Sequence, residues 1–396
     1  MPSRRTHSKS RNGCTKCKAS KVKCDEARPS CARCLRREVS CQYLDVFHIL
    51  QDSSTTSTVP SPQPPAHAAT IPEGFWNDVF PPPVPSPGNE QVRIDNFGDR
   101  DLELLHHYST STYLTLATRL LLEEFWQVAM VRIALSNTFV MHGILALSAC
   151  HLAYLRTEAG EYYGNLALHH YTAAISLFRP LLDNVDSQTA VPTVAFSTLV
   201  GCLSLAIPQA FLRHLASPPT GPEFVNNLLQ NFRLTRGVKT VLGSASQWIK
   251  DSPMAPLLII EMEDAEVPLE FHAEIAVREL EAKIRLNVPS EEKRQEYLAA
   301  IALLRQCFPR GPFRAQHQAL ISAWPVMVQD TFFTELLEMK VGFPLVIIGY
   351  YGVLMHFMSS NWWIGHKGKR LVEAVSCMLE PKWQDLMTWP MTVVHI

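Results

Sequence analysis

Six of the chain's ten cysteines fall between residues 14 and 41. They are Cys14, Cys17, Cys24, Cys31, Cys34 and Cys41, and their spacing is C-x2-C-x6-C-x6-C-x2-C-x6-C. The pattern is an internal repeat, because the first three cysteines recur 17 positions on as the second three. Cysteines two residues apart at the start of a helix bring two thiolates to one metal ion, and a third further on returns to the same point. Each half thus offers three sulfurs, whereas tetrahedral zinc takes four ligands. Two zinc ions therefore need two of the six sulfurs to be shared, which makes a closed binuclear cluster. A disulfide framework gives no reason for the repeat. A redox C-x2-C sits singly beside a strand–helix turn, and no such context is present. The opening "MPSRRTHSKSRNG" is polar and basic and has no apolar core of a secretory signal. That favours a reducing compartment, where thiols stay free for metal.

The charges around these cysteines are one-sided. Residues 1–41 carry 12 Lys and Arg against 3 Asp and Glu, while the whole chain has a formal net charge of −1. A basic head on an acidic body predicts a polyanion-binding module joined to a part that avoids polyanions. Lys18 and Lys21 lie three apart on one helical face, Lys23 precedes Cys24, and Arg11 and Lys9 lead in. Arg33, Arg36 and Arg37 decorate the second half. A solvated basic face is the plain alternative. A segment this small forms no hydrophobic core, so bound zinc supplies its folding energy and frees the positions between ligands for cations.

On these residues the segment resembles the fungal Zn2Cys6 binuclear-cluster transcription factors. The resemblance implies two Zn2+ ions held by Cys14, Cys17, Cys24, Cys31, Cys34 and Cys41, with Cys14 and Cys31 bridging. It also implies that Pro29 shapes the turn between halves, and that double-stranded DNA is the partner. In that family the helix after the second cysteine enters the major groove and reads a CGG-type triplet. Lys18 and Lys21 stand on that helix, and a lysine donating to guanine O6 and N7 suits the task. Lys21 is the foremost base-reading residue, because Ser20 stands where many members have lysine. Lys23, Arg11 and Lys9 complete the DNA-facing set, and Arg33, Arg36 and Arg37 are expected on phosphates, which position without specifying sequence. The implied location is the nucleus, with cytoplasm–nucleus shuttling as a further expectation. "RRTHSKSR" is compatible with an import signal.

The elements that must carry this module follow from composition. Residues 1–13 read as a basic arm and 14–41 as the Zn2Cys6 DNA-binding domain. Residues 42–98 read as a linker, Pro-rich at 60–88, where 10 of the 28 prolines lie. The apolar stretch 43–50 covers barely one heptad, too little for a coiled coil. From 99 to 396 the pattern is helical. "FVMHGILALSACHLAYL" (139–155) places Met141, Ile144, Leu145, Ser148, Leu152 and Leu155 at three-four spacing. "PSEEKRQEYLAAIALL" (289–304) opens with a helix-start signature and sets Tyr297, Leu298, Ile301 and Leu304 on one face. "EFHAEIAVRELEAKI" (270–284) reads alike. The expected fold is thus a small zinc-stabilised module plus a large all-α regulatory domain of about eight to twelve helices, joined by a Pro/Ser/Thr-rich linker. Two apolar runs, 191–211 and 341–358, approach membrane-spanning length but contain proline and have no flanking Lys/Arg pattern that would set a topology. They are expected as buried helices, with no membrane span.

Within this body, "DLELLHHYSTSTYLTL" (101–116), "FRLTRGVKTVLGSASQWIKDSPMAPLL" (232–258), "WPVMVQDTFFTELL" (324–337) and "GYYGVLMHFMSSNWWIGHKGKRLVEAV" (349–375) are similar to the regulatory domain of the sterol uptake control subgroup. That similarity implies an all-helical, dimeric domain with an apolar pocket. The expected partners are an apolar small molecule, sterol or metabolite, and a second copy through the helical domain; no pocket residue is assigned. Five of the eight tryptophans, Trp324, Trp362, Trp363, Trp383 and Trp389, are expected to anchor the core of the last quarter. Cys150, Cys202, Cys307 and Cys377 read as buried thiols. His106, His107, His142, His151, His169 and His170 read as packing or surface residues, not ligands.

The chain contains no phosphate loop, no G-x-S-x-G elbow, no H-E-x-x-H and no dinucleotide fingerprint. The expectation is therefore a nuclear, sequence-specific DNA-binding factor of the RNA polymerase II type, not an enzyme. It is expected to activate a metabolic pathway, either a secondary-metabolite gene cluster or sterol and lipid genes. The alternative is a zinc-stabilised scaffold or co-regulator that reads no DNA sequence. The charge asymmetry argues against it.

Overall fold

A computed structural model describes residues 14, 16, 17, 20, 22–25, 31–37, 39, 41, 97–117, 120–211, 219–258, 269–311, 313, 315–339 and 341–395. The predicted linker up to residue 96, the 43–50 stretch and Pro29 lie outside them. The chain divides into two compact units, one of residues 1–85 and 258–262 and one of the remainder.

In the first unit the described regular element is a short helix, α1 (Ala32–Arg36). It starts where it does because Cys31 is extended and caps it, the Cys31 Sγ accepting from the Cys34 amide.

The second unit is all-helical, and no strand occurs among the described residues. Its first half runs α2 (Asp99–His107), α3 (Leu120–Glu124), α4 (Met130–Ser136), α5 (Thr138–Leu155), α6 (Gly160–Phe178) and α7 (Ala190–Phe211). π-turns at Tyr108–Thr112 and Phe125–Ala129 interrupt the helical path between α2 and α4. Then comes α8 (Gly221–Ile249), the longest element, opened by a capping box of Thr220 and Glu223 with Pro222 in the first turn. The second half is α9 (Phe271–Asn287), α10 (Glu291–Cys307), α11 (Ala315–Met327), α12 (Asp330–Leu337), α13 (Phe343–Phe357), α14 (Lys367–Met378) and α15 (Gln384–His395). Among the described residues this unit has fourteen α-helical segments, more than the sequence suggested. The surplus comes from short helices next to π-turns, which hydrophobic periodicity does not separate.

α5 packs against α6, α7 and α4, while α13 packs against α14 and α15. α8 joins the two halves, resting on α7 on one side and on α14 and α11 on the other. The predicted helix starts hold: Ser290 caps α10 by accepting from the Lys293 amide at 3.3 Å, and Glu270 caps α9. The amphipathic reading of 139–155 does not. α5 is buried from Phe139 to Ala153 apart from the half-buried His142, and the exposed residues at its end are Tyr154 and Leu155, of which the pattern placed Leu155 inward. A helix enclosed by neighbours has no polar face, so periodicity carries no direction there.

The two apolar helices that pass a length-and-hydropathy test for membrane crossing are Thr138–Leu155 and Ala190–Pro208. In each, most of the segment is buried inside the fold, 78% and 72% respectively. The run 341–358 forms α13, also buried, entered through Gly342 at φ 145°, a conformation that favours glycine. Trp324, Trp362 and Trp363 lie in the core, with Trp324 stacked on Tyr351 at 4.7 Å and donating to the Ala300 carbonyl. Trp383 and Trp389 are half-buried. Cys150 and Cys307 are buried thiols, but Cys202 is half-buried and Cys377 is exposed. Position 377 falls on the outer side of α14, whose inner side carries Leu371, Val372 and Val375.

Candidate metal centre and nucleic-acid interface

The six cysteine sulfurs converge. Cys14 Sγ lies 3.8 Å from Cys31 Sγ and 3.6 Å from Cys34 Sγ, and Cys17 Sγ lies 3.5 Å from Cys31 Sγ. These separations exceed an S–S bond of about 2.05 Å, and all six are free thiols. Five are buried and Cys41 is half-buried.

Two groups of four sulfurs each lie within 4.8 Å of one another: Cys14, Cys17, Cys24 and Cys31, and Cys14, Cys31, Cys34 and Cys41. Among the described residues these are the groups with metal-ligating geometry. Each group is a complete tetrahedral donor set of the soft ligands zinc prefers. Cys14 and Cys31 belong to both.

The repeat in the sequence is a repeat of hydrogen bonds. Cys17 N donates to Cys14 Sγ at 3.4 Å, and Cys34 N to Cys31 Sγ at 3.4 Å. Cys14 N donates to Cys24 Sγ, and Cys31 N to Cys41 Sγ. Val22 N meets the Cys17 carbonyl as Val39 N meets that of Cys34, both at 3.1 Å. Every pair is offset by the same 17 residues. Burial pushes the Cys14 and Cys31 thiols up, but the amides of Cys17 and Cys34, with neighbouring thiols, outweigh it and leave both below the usual thiol value. Burial raises Cys17 and Cys41, and takes Cys34 up to about 12. The two shared sulfurs are thus thiols held below their usual value, which suits a thiolate.

Of the residues expected to face DNA, Lys9, Arg11, Lys18 and Lys21 lie outside the described residues. Lys23, Arg36 and Arg37 are exposed and Arg33 is half-buried. Arg36 Nε donates to the Ala32 carbonyl, which lays part of its side chain along α1. Lys16, on the helical turn before Cys17, is exposed as well and had no role in the sequence reading. Sequence reasoning also passed over Asp25, whose carboxylate accepts from the Ala32 amide at 2.9 Å and 3.3 Å.

Residues 12–47 match the family described as the fungal Zn(2)-Cys(6) binuclear cluster domain. Residues 103–211, which are α2 to α7, match the fungal specific transcription factor domain. The chain thus carries the fungal Zn(2)-Cys(6) cluster domain and, in its helical body, a fungal transcription factor domain. A Zn(2)-C6 fungal-type transcription factor of Gibberella zeae is 26% identical over 99% of this chain and 87% of its own length. A second, from Aspergillus fumigatus, is 26% identical over 68% of this chain and 64% of its own. Sterol uptake control protein 2 of Candida albicans is 35% identical, but over only 22% of this chain and 14% of its own length.

As a zinc-cluster factor the protein regulates transcription and is not an enzyme. Its cluster binds two zinc ions, for which the six converging sulfurs supply the donor set. Zinc there supplies folding energy, and the chain's own amides hold the sulfurs in place. DNA binding is the activity of this cluster family, and its members are generally nuclear.

The histidines pair in a way their numbering conceals. His142 Nδ1 lies 2.9 Å from His170 Nδ1, and His170 Nε2 lies 3.1 Å from Asp101 Oδ1. His107 Nε2 lies 3.3 Å from His151 Nδ1, and the His151 ring stacks on Trp362. Neither pair gathers three ligand atoms, in keeping with a packing role.

Proposed function

We propose that the cluster reads CGG-like triplets in the major groove, with Cys14 and Cys31 bridging two zinc ions that Cys17, Cys24, Cys34 and Cys41 complete. The observation that carries the reading is the sharing of Cys14 and Cys31 between both four-sulfur groups. In this reading Lys21 and Lys18 meet base edges. Lys23, Arg11, Lys9, Arg33, Arg36 and Arg37 neutralise phosphates. The chain divides into a basic arm (1–13), the cluster (14–41), a linker (42–98) and a regulatory body (99–396). Selection of bound sequences from a random duplex pool tests it. Lys21→Ala is expected to relax discrimination at one base by about 1–3 kcal/mol. Equal weakening on every sequence would make Lys21 a phosphate contact.

The regulated genes, in this proposal, belong to a secondary-metabolite cluster or to sterol and lipid metabolism, with activation as the outcome and shuttling between cytoplasm and nucleus as the control. An apolar metabolite binding the helical body would provide the signal. Thermal stabilisation of the full chain by one member of a sterol and lipid panel supports this, and no shift across the panel refutes it.

The body also pairs with a second copy in this reading. On α9, Phe271 and Leu286 are 69% and 82% exposed and share one face with Ile275 and Ala282. Arg278 and Glu279 flank that face on opposite edges. In a parallel pairing each edge meets its opposite charge, and the apolar residues meet their own kind. Sedimentation of the wild type against Phe271→Ser/Leu286→Ser separates dimer from monomer, and identical profiles reject this face.

A further inference from the structure

We propose that Asp25 is a positioning residue for DNA binding, tying the second half of the cluster to the first by a link that does not pass through sulfur. Asp25 directly follows Cys24 and so belongs to the first half-repeat. Its carboxylate accepts from the Ala32 amide, at 2.9 Å through Oδ2 and 3.3 Å through Oδ1. Ala32 is the first residue of α1, the element that carries Arg33 and Arg36 and ends at Arg37. The remaining first-turn cap of α1 comes from the Cys31 sulfur, which accepts from Cys34 N. Apart from the chain itself, the shared sulfurs of Cys14 and Cys31 are the other link between the halves. The Asp25 carboxylate adds a direct hydrogen bond from one half to the other, and a charge-assisted bond of this kind is stronger than a neutral one.

The repeat sharpens the point. Position 25 shifted by 17 is Gln42, and Ala32 shifted back is Thr15. The backbone and sulfur hydrogen bonds follow the repeat, but the carboxylate occurs in the first half alone. It fixes the orientation of α1, and with it the direction in which Arg36 and Arg37 face a phosphate backbone. The inference rests on the DNA-binding reading above.

The sign of the effect distinguishes positioning from bulk charge. Removing an acidic side chain from a DNA-binding surface strengthens binding through electrostatics alone. Removing a positioning tie weakens it. The experiment uses the full zinc-loaded chain as wild type, Asp25→Ala and Asp25→Asn. It measures zinc content, hydrogen exchange at the Ala32 amide, and affinity for the selected duplex and for random DNA.

Asp25→Ala is expected to keep two zinc ions, to lose protection at Ala32, and to bind both duplexes about tenfold more weakly, the scale of one lost hydrogen bond to a charged group. Asp25→Asn, which keeps an acceptor oxygen, is expected to recover most of both. Unchanged or tighter binding by Asp25→Ala overturns the proposal, as does the loss of a zinc ion. An Asn variant as weak as the Ala variant overturns it too, because charge and not the acceptor would then be the cause. If the wild type binds no duplex, the DNA reading fails instead, and Ala32 exchange still reports whether the tie forms.

Discussion

At the scale of single residues, the buried histidines make the body sensitive to acid. Burial pushes His170 down to about 4 although Asp101 pulls the other way, and burial with nearby His107 takes His151 to about 4. An unfolded histidine titrates near about 6.5. Above that value both states are neutral and these groups add no pH dependence. Between about 6.5 and 4 the unfolded chain takes up protons that the folded chain refuses, so stability falls as pH falls. Melting temperature measured across that window is expected to drop, and His151→Gln to flatten the decline; a variant that keeps the full slope would place the acid sensitivity elsewhere. Such pairings were not legible beforehand. His107 and His151 are 44 residues apart, and His142 and His170 are 28 apart. By contrast the cysteines announce themselves, since their chemistry needs a fixed local spacing and the spacing is in the sequence. Asp25 falls between these cases. Its partner is a backbone amide seven residues on, and no residue type marks an amide as waiting for an acceptor.

At the scale of elements, the tightest contact is between α13 and α14. A methyl group on Gly368 would stand 2.6 Å from the Gly352 carbonyl oxygen and 2.6 Å from the Met355 carbonyl carbon. Backbone cannot move aside as a side chain can, so Gly368→Ala is expected to destabilise the body by about 3 kcal/mol, read by chemical denaturation. Loss of less than about 0.5 kcal/mol would mean that the two helices part easily. The caps offer a milder test. Ser290→Ala removes the acceptor for the Lys293 amide and is expected to cost about 1 kcal/mol. Helix starts such as these were readable because Ser290 and Glu270 act on their own neighbours. Which way α5 and α7 face was not readable, because both are apolar throughout and their surroundings are set by tertiary packing.

At the scale of the whole molecule, the two units draw their stability from different sources. The cluster has sulfurs and a five-residue helix, and the body has an extended aliphatic and aromatic core. Chelation is therefore expected to abolish DNA binding while the far-ultraviolet helix signal of the body persists. Simultaneous loss of both would show that the body depends on metal. The division itself was visible in composition, as a cysteine-rich basic head, a proline-rich stretch and an apolar helical remainder.

The enclosure of α5 also bears on how the chain is made. The ribosome releases α5 before α7 and α8 exist, yet α5 has no polar side to show to water. Until its neighbours arrive it offers eighteen residues of membrane-like hydropathy, 1.5 on average, to chaperones and insertion machinery alike. A chain stopped after residue 155 is thus expected in the pellet or on membranes, and one reaching residue 249, with α6, α7 and α8 in place, in the supernatant. Biosynthesis of this factor is most exposed to failure during the interval between those two points.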